Sequence, residues 1–172
     1  MNKKEIAVFG LSANPPTGDE GHLGIVRFLR DMKRFDEIWI LPVYAHQFGK
    51  KLETFEDRIN MCRESMEPLS CPDCNVVVLP LEKIVNERMG GSHGTVDTLE
   101  HIKRENPSIN LHLILGGDTF NDVAAGKWKN GDRYSDSCHF SSLDPLPHVC
   151  SSDSRISPNS TSSKEQVSQC PI

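Results

Sequence analysis

Gly10, Ser12, Asn14, Thr17, Gly21 and His22 crowd a short polar stretch between an apolar run, Ile6 to Phe9, and an amphipathic helical pattern that starts at His22. A turn joining a buried strand to a helix brings the helix's first N–H groups and its dipole to the carboxyl edge of a sheet, where an anion is stabilised. His22, on the first helical turn, adds a ring that can hydrogen-bond a phosphate. Thr17 reads either as a turn hydroxyl or as a phosphate contact. Further on, His46, Lys50 and Lys51 follow a second strand end, and Arg58 lies on the helix after them. They are either solvated surface charges or the counter-charge for the same anion. Gly116-Gly117-Asp118 closes a later apolar run, where Asp118 could cap a helix or reach ribose hydroxyls or a metal-bound phosphate.

These residues must be positioned by the elements around them. Periodicity predicts strands over Ile6 to Phe9, Glu37 to Val43, Asn75 to Leu79 and Leu111 to Leu115. It predicts helices over His22 to Phe35, Phe55 to Met66, Thr95 to Arg104 and Phe120 to Trp128, with Thr54 and Asp57 suited to the N-terminus of the second. Strand and helix alternate four times, which predicts an α/β domain with a parallel sheet, right-handed crossovers and helices on both faces. The ligand then belongs at the carboxyl ends of the strands, where Asn14 to His22, His46 to Lys51 and Gly116 to Asp118 converge. Trp39 reads as core, and Trp128 as core or a cleft wall.

The chain has 172 residues and a formal net charge of −5, the size of one domain. That balance speaks against a broad nucleic-acid surface and for a small anionic ligand held by local positive groups. Six cysteines are present, and Cys71-Pro-Asp-Cys74 has zinc-knuckle spacing without a second pair at a suitable distance. The expectation is ordinary reduced thiols and no metal site. The N-terminal residues lack the apolar stretch of a signal peptide, and no run is long enough to span a bilayer, so a cytoplasmic or nuclear protein without membrane contact is expected.

The wording of the first motif resembles the G-x-F-N-P-x-H-x-G-H signature of the nucleotidyltransferase superfamily. Gly10, Asn14, Pro15, Gly21 and His22 match in order, Ala13 stands for Phe, Thr17 stands for the first His, and the stretch from Thr17 to His22 is two residues longer. Three other segments resemble the nicotinate/nicotinamide mononucleotide adenylyltransferases. They are Trp39-Ile40-Leu41-Pro42 leading to His46, Lys50, Lys51, Arg58 and Met61; Gly94-Thr95-Val96-Asp97-Thr98-Leu99; and Leu113 to Asp118 with Trp128. Together the resemblance covers Ile6 to about Trp128. It implies a Rossmann-like fold of the adenylyltransferase type and transfer of adenylate from ATP to a pyridine mononucleotide, with Mg²⁺ bound to the ATP. By the same resemblance, His22 and Thr17 act in catalysis, and Gly10, Ser12, Asn14, Gly21, Gly116 and Asp118 join His22 at the ATP phosphates. His46, Lys50, Lys51, Arg58, Thr95, Asp97, Thr98 and Trp128 face the mononucleotide. Phosphopantetheine adenylyltransferases share the first motif and a helix like that around Arg58, and come second.

Beyond Asp132 the pattern changes. From Tyr134 to Ile172 there are twelve serines, four prolines and three cysteines among 39 residues, with no periodic apolar face. The reading is therefore a nucleotidyltransferase domain over 1–132 and a serine-rich segment over 133–172, poorly ordered or altered. Arg155 to Val167 carries a scrambled echo of the superfamily's I-S-S-T-x-x-R segment, which holds the triphosphate. An alternative follows: a truncated nucleotide-binding form, catalytically weak or inactive. Nicotinate against nicotinamide mononucleotide, and the oligomeric state, are left open by the sequence.

Overall fold

A computed structural model describes residues 3–44, 51–91, 93–127 and 148–149. Strand β1 (Lys4–Leu11) leads to helix α1 (His22–Asp31), β2 (Glu37–Pro42), α2 (Phe55–Met66), β3 (Asn75–Val78), α3 (Leu81–Met89), α4 (Thr95–Glu105), β4 (Ile109–Leu115), α5 (Gly117–Ala124) and a two-residue strand, β5 (His148–Val149). The sheet order is β3-β2-β1-β4-β5. Its first four strands are parallel, in the register Val8 to Trp39, Val8 to Leu113 and Trp39 to Val77. β5 runs antiparallel against β4, with Ile114 opposite Val149. The chain thus moves outward from β1 to β3 and then crosses back to β1's other side, which places the switch point between β1 and β4.

Alternate residues of β1 feed two cores, as the two-residue period of a strand demands. Ala7, Phe9 and Leu11 pack with Val26 and Leu29 of α1 and Ile59, Cys62 and Met66 of α2. Ile6 and Val8 pack on the other face with Leu111 and Leu113 of β4 and Val96, Leu99 and Ile102 of α4. Trp39 is partly buried beside this second core, and its indole N–H donates to Glu37 Oε2 at 2.7 Å.

Helix α2 spans the predicted residues, and Thr54 caps it by accepting the Asp57 N–H. Other ends differ. α1 stops at Asp31 rather than Phe35, because Lys33 takes a left-handed φ of 52° that no helix continues through. α5 begins three residues before the predicted start and ends at Ala124, just ahead of Gly126 with φ of 70°. Helix α3 is an addition to the predicted set. Leu81, Glu82, Val85 and Asn86 share a helical face behind Pro80, and a short run with two polar members on its inner side gives a weak apolar period. Of the segment 133–172, only His148 and Val149 fall among the described residues.

Candidate active site at the carboxyl edge of the sheet

The turn after β1 is organised by Thr17. Its hydroxyl accepts the His22 N–H at 2.9 Å and its carbonyl accepts the Leu23 N–H at 3.1 Å, so a residue five positions upstream satisfies the first donors of α1. The bond also runs the other way: the Thr17 N–H donates to His22 Nδ1 at 2.9 Å, and Thr17 Oγ1 lies 2.8 Å from the same nitrogen. A backbone N–H can only donate, so Nδ1 is the unprotonated nitrogen and neutral His22 carries its proton on Nε2. Burial holds the His22 pKa below the ordinary histidine value, which favours that neutral donor.

Gly21 is required by this arrangement. A Cβ there would stand 2.0 Å from Thr17 Oγ1, and one at Gly24 would stand 1.9 Å from the Asp19 carbonyl oxygen. Of the two readings of Thr17, turn hydroxyl or phosphate contact, the structure displays the first, a grip on His22. Sequence reading passed over Gly24, although Gly21-His22-Leu23-Gly24 places a second small residue one turn on.

Gly10 and Gly116 behave differently. Among the described residues, no atom beyond the adjoining residues lies within 4 Å of a Cβ built on either, so the ends of β1 and β4 face open space at the switch point. That is where an open α/β sheet admits a ligand. Gly117 and Asp118 start α5 there, and the Asp118 side chain lies outside what the structure describes.

A second cluster joins the ends of β1 and β2 to α2. Arg58 is 1 % exposed, and its guanidinium donates to the carbonyls of Ser12 (2.9 Å), Val43 (2.8 Å) and Glu53 (3.1 Å), while it also lies over the Phe55 ring. Asn14 completes the junction, its Oδ1 accepting the Glu53 N–H at 2.9 Å. The buried Arg58, expected to face the mononucleotide, here spends its guanidinium on backbone carbonyls. Lys51 is exposed, whereas His46, Lys50 and Trp128 lie outside the described residues.

The third cluster stands at the start of α4. Asp97 reaches back to the Gly94 N–H at 3.3 Å and Thr98 donates to the Gly94 carbonyl at 3.1 Å. Thr95 donates its hydroxyl to Glu82 Oε1 at 2.7 Å. Asn86 holds the preceding residue, accepting the His93 N–H at 2.8 Å and donating to the His93 carbonyl at 3.0 Å. The side chains expected on a mononucleotide also shape the helix start. Glu82 and Asn86 carry this arrangement and were missed by sequence reading. The available signal was a carboxylate two residues past Pro80, on the same face as Val85.

Among the described residues, no three His, Cys, Asp or Glu side chains gather as a metal would need. Cys71 and Cys74 bond to each other through their backbones, and burial pushes the thiols of Cys62 and Cys74 up to about 11, where neither is a ready ligand or nucleophile. No described helix is long and apolar enough to cross a membrane.

No protein-family model matches the chain. The sequence is 34 % identical over 131 residues to a probable nicotinate-nucleotide adenylyltransferase of Anaeromyxobacter dehalogenans, covering 76 % of this chain and 65 % of that protein. It is 31 % identical over 129 residues to a probable nicotinate-nucleotide adenylyltransferase of Myxococcus xanthus, covering 75 % and 62 %. The chain therefore spans less than two thirds of the length of these curated relatives. In structure it is similar to the Plasmodium falciparum nicotinic acid mononucleotide adenylyltransferase. Against the form complexed with NaAD the TM-score is 0.61 at 21 % identity, over 77 % of this chain and 60 % of that one; against the form complexed with APC it is 0.59. That likeness bears out the parallel α/β architecture expected from the strand and helix alternation and the Rossmann-like fold that the resemblance implied.

Proposed function

We propose that the protein transfers adenylate from ATP to nicotinate mononucleotide, a reading supported by the 31–34 % identity of three quarters of the chain to probable nicotinate-nucleotide adenylyltransferases. A phosphate oxygen of the mononucleotide attacks the α-phosphorus of ATP, the bond to the bridging oxygen breaks, and pyrophosphate leaves with the negative charge. The substrate brings its own nucleophile, so the protein's part is alignment and charge stabilisation.

The observation that carries this reading is the Thr17 and His22 pair beside the open edge at Gly10 and Gly116. Neutral His22, its Nε2 proton fixed by the Thr17 N–H at Nδ1, is a hydrogen-bond donor for the ATP phosphates. Gly10 and Gly116 leave room for the phosphates to approach backbone. Asp118, Asn14 and Ser12 lie at the same edge, with Asp118 read as the partner of ribose hydroxyls. Mg²⁺ would arrive on the ATP phosphates and neutralise charge there, a role that asks for few protein ligands. The mononucleotide is assigned to the side of the cleft formed by the end of β2 and the start of α4, with Lys51 nearby. We assign the transferase unit to residues 1–132 and the protein to the cytoplasm.

A second reading is a form that binds pyridine mononucleotide without turning it over, because Arg155 to Val167 carries only a scrambled echo of the segment that holds the triphosphate in the superfamily. One assay separates the two. The purified chain is given ATP, Mg²⁺ and either nicotinate or nicotinamide mononucleotide, and pyrophosphate and dinucleotide are followed together. Turnover with the nicotinate substrate is the expected result. Mononucleotide binding without turnover selects the second reading, and neither binding nor turnover overturns both.

A further inference from the structure

Glu82 is 2 % exposed and meets the mononucleotide side of the cleft through Thr95. Its Oε2 accepts the Tyr44 N–H at 2.9 Å and its Oε1 accepts the Thr95 hydroxyl at 2.7 Å. The Tyr44 N–H and the Val43 carbonyl belong to one peptide group, and Arg58 donates to that carbonyl at 2.8 Å. A buried cation and a buried carboxylate therefore hold opposite sides of the first peptide group beyond β2 that leaves the sheet. From the same carboxylate the chain of bonds continues to Thr95, at the first turn of α4. The Arg58 cation is further tied to the Ser12 carbonyl in the motif turn. One line of hydrogen bonds thus crosses the carboxyl edge from the phosphate turn to α4.

The arrangement is costly unless every bond is made, because an unpaired buried charge loses its hydration without return. Here the two charges compensate each other through a peptide rather than in direct contact, and each spends its remaining bonds on a different element. We propose that Glu82 is a positioning residue, fixing the end of β2 against the start of α4 so that the mononucleotide side of the cleft has its geometry before ligand enters. This rests on the functional reading above.

Three variants test it: Glu82→Ala, which removes both links; Thr95→Val, which removes one; and Glu82→Gln. The amide of Gln can still accept from Tyr44 and can donate to a turned Thr95 hydroxyl, so geometry survives while charge does not. Nicotinate mononucleotide affinity by calorimetry, the KM for ATP and amide exchange at Tyr44 are measured on the full chain. Glu82→Ala is expected to weaken mononucleotide binding about ten-fold, the value of one well-placed bond, with the KM for ATP within about two-fold and faster exchange at Tyr44. Thr95→Val should give a smaller loss of the same kind and keeps the test open where Glu82→Ala does not fold. Glu82→Gln, which keeps the bonds but leaves Arg58 without its counter-charge, should restore part of the affinity and protection lost in Glu82→Ala. Unchanged affinity in both Glu82→Ala and Thr95→Val, or a Gln variant as weak as the Ala one, overturns the proposal. An unaltered chain that binds no mononucleotide overturns the functional reading and the ligand part of this one, while exchange at Tyr44 still decides whether Glu82 holds the edge together.

Discussion

Two polar clusters share the carboxyl edge of one sheet, and they are built from bonds of different reach. In the motif turn, Thr17 and His22 are five residues apart and make three contacts with each other. Around Arg58 and Glu82 the partners are separated by as many as 46 residues in sequence, from Arg58 to Ser12, and 38 from Tyr44 to Glu82. The first cluster sets a protonation state and leaves a donor nitrogen available. The second exposes almost nothing and sets distances between elements. A site of this kind needs both, and the difference in reach determines how each fails when broken.

The largest effect should come from breaking the long-range cluster. Arg58→Leu removes three charge-assisted bonds, orphans three carbonyls and leaves Glu82 buried without its counter-charge, a change worth about 3–5 kcal/mol of stability. Urea unfolding of the variant measures it. A loss below about 1 kcal/mol would mean the buried bonds are replaceable by water, and the comparison would lose its structural half.

Next comes His22→Ala, which removes the donor but leaves the elements in place. Turnover should fall about 10²–10³-fold, as for loss of one transition-state donor, while mononucleotide affinity stays within a few-fold. Equal loss of both would show that His22 supports binding in general rather than charge developing on the pyrophosphate. Its state can be read directly by nitrogen-15 spectra: the neutral Nε2–H form should persist at pH 6.5, because burial holds the folded pKa below the ordinary value. Since the folded chain then binds fewer protons than the unfolded one, stability falls as the pH drops through about 6.5 towards the folded value.

Thr17→Val is a gentler break in the local cluster. The backbone N–H to Nδ1 remains, while the hydroxyl that accepts the His22 N–H is lost, costing about 1 kcal/mol as for a helix cap. The Nε2–H form should survive this change. A shift to the Nδ1–H form would show that the hydroxyl, not the backbone, selects the tautomer.

The same contrast in reach explains what could be read from sequence. The four parallel strands and the span of α2 follow from apolar periods and from Thr54 with Asp57, all local signals. His22, Gly21 and Thr17 sit within one motif, so their meeting was legible, although the role of Thr17 was not, since a hydroxyl beside a helix start can cap it or bind phosphate. Arg58 read as a surface charge or a ligand's counter-charge, and its burial could not be seen, because its three carbonyl partners lie on a turn, a strand exit and a loop that only tertiary structure gathers. Glu82 left only the weak signal of its place behind Pro80, and helix α3 was missed with it: its inner face spends positions on Glu82 and Asn86 that a purely apolar stripe would fill.

Reach alone does not set the size of an effect, and the opposite edge of the sheet separates reach from burial. There Glu5 on β1 accepts from Asn110 and meets His112 on β4, partners 105 and 107 residues away, but its side chain stays 34 % exposed. Partial burial raises the Glu5 pKa, and the hydrogen bonds from Asn110 and His112, with the charges of His112 and Arg34, outweigh that and bring it below the ordinary carboxylate value. The stability this supplies is present above the unfolded carboxylate value and is lost as the pH falls through the folded one. Solvent screening limits it to about 1 kcal/mol or less. Glu5→Gln should therefore lower the urea midpoint slightly at neutral pH and not at all below the folded pKa, where the unaltered residue is itself protonated. If Glu5→Gln costs as much as Arg58→Leu, sequence separation rather than burial governs these clusters; the small, pH-dependent loss expected here assigns the difference to the solvent that Arg58 and Glu82 exclude.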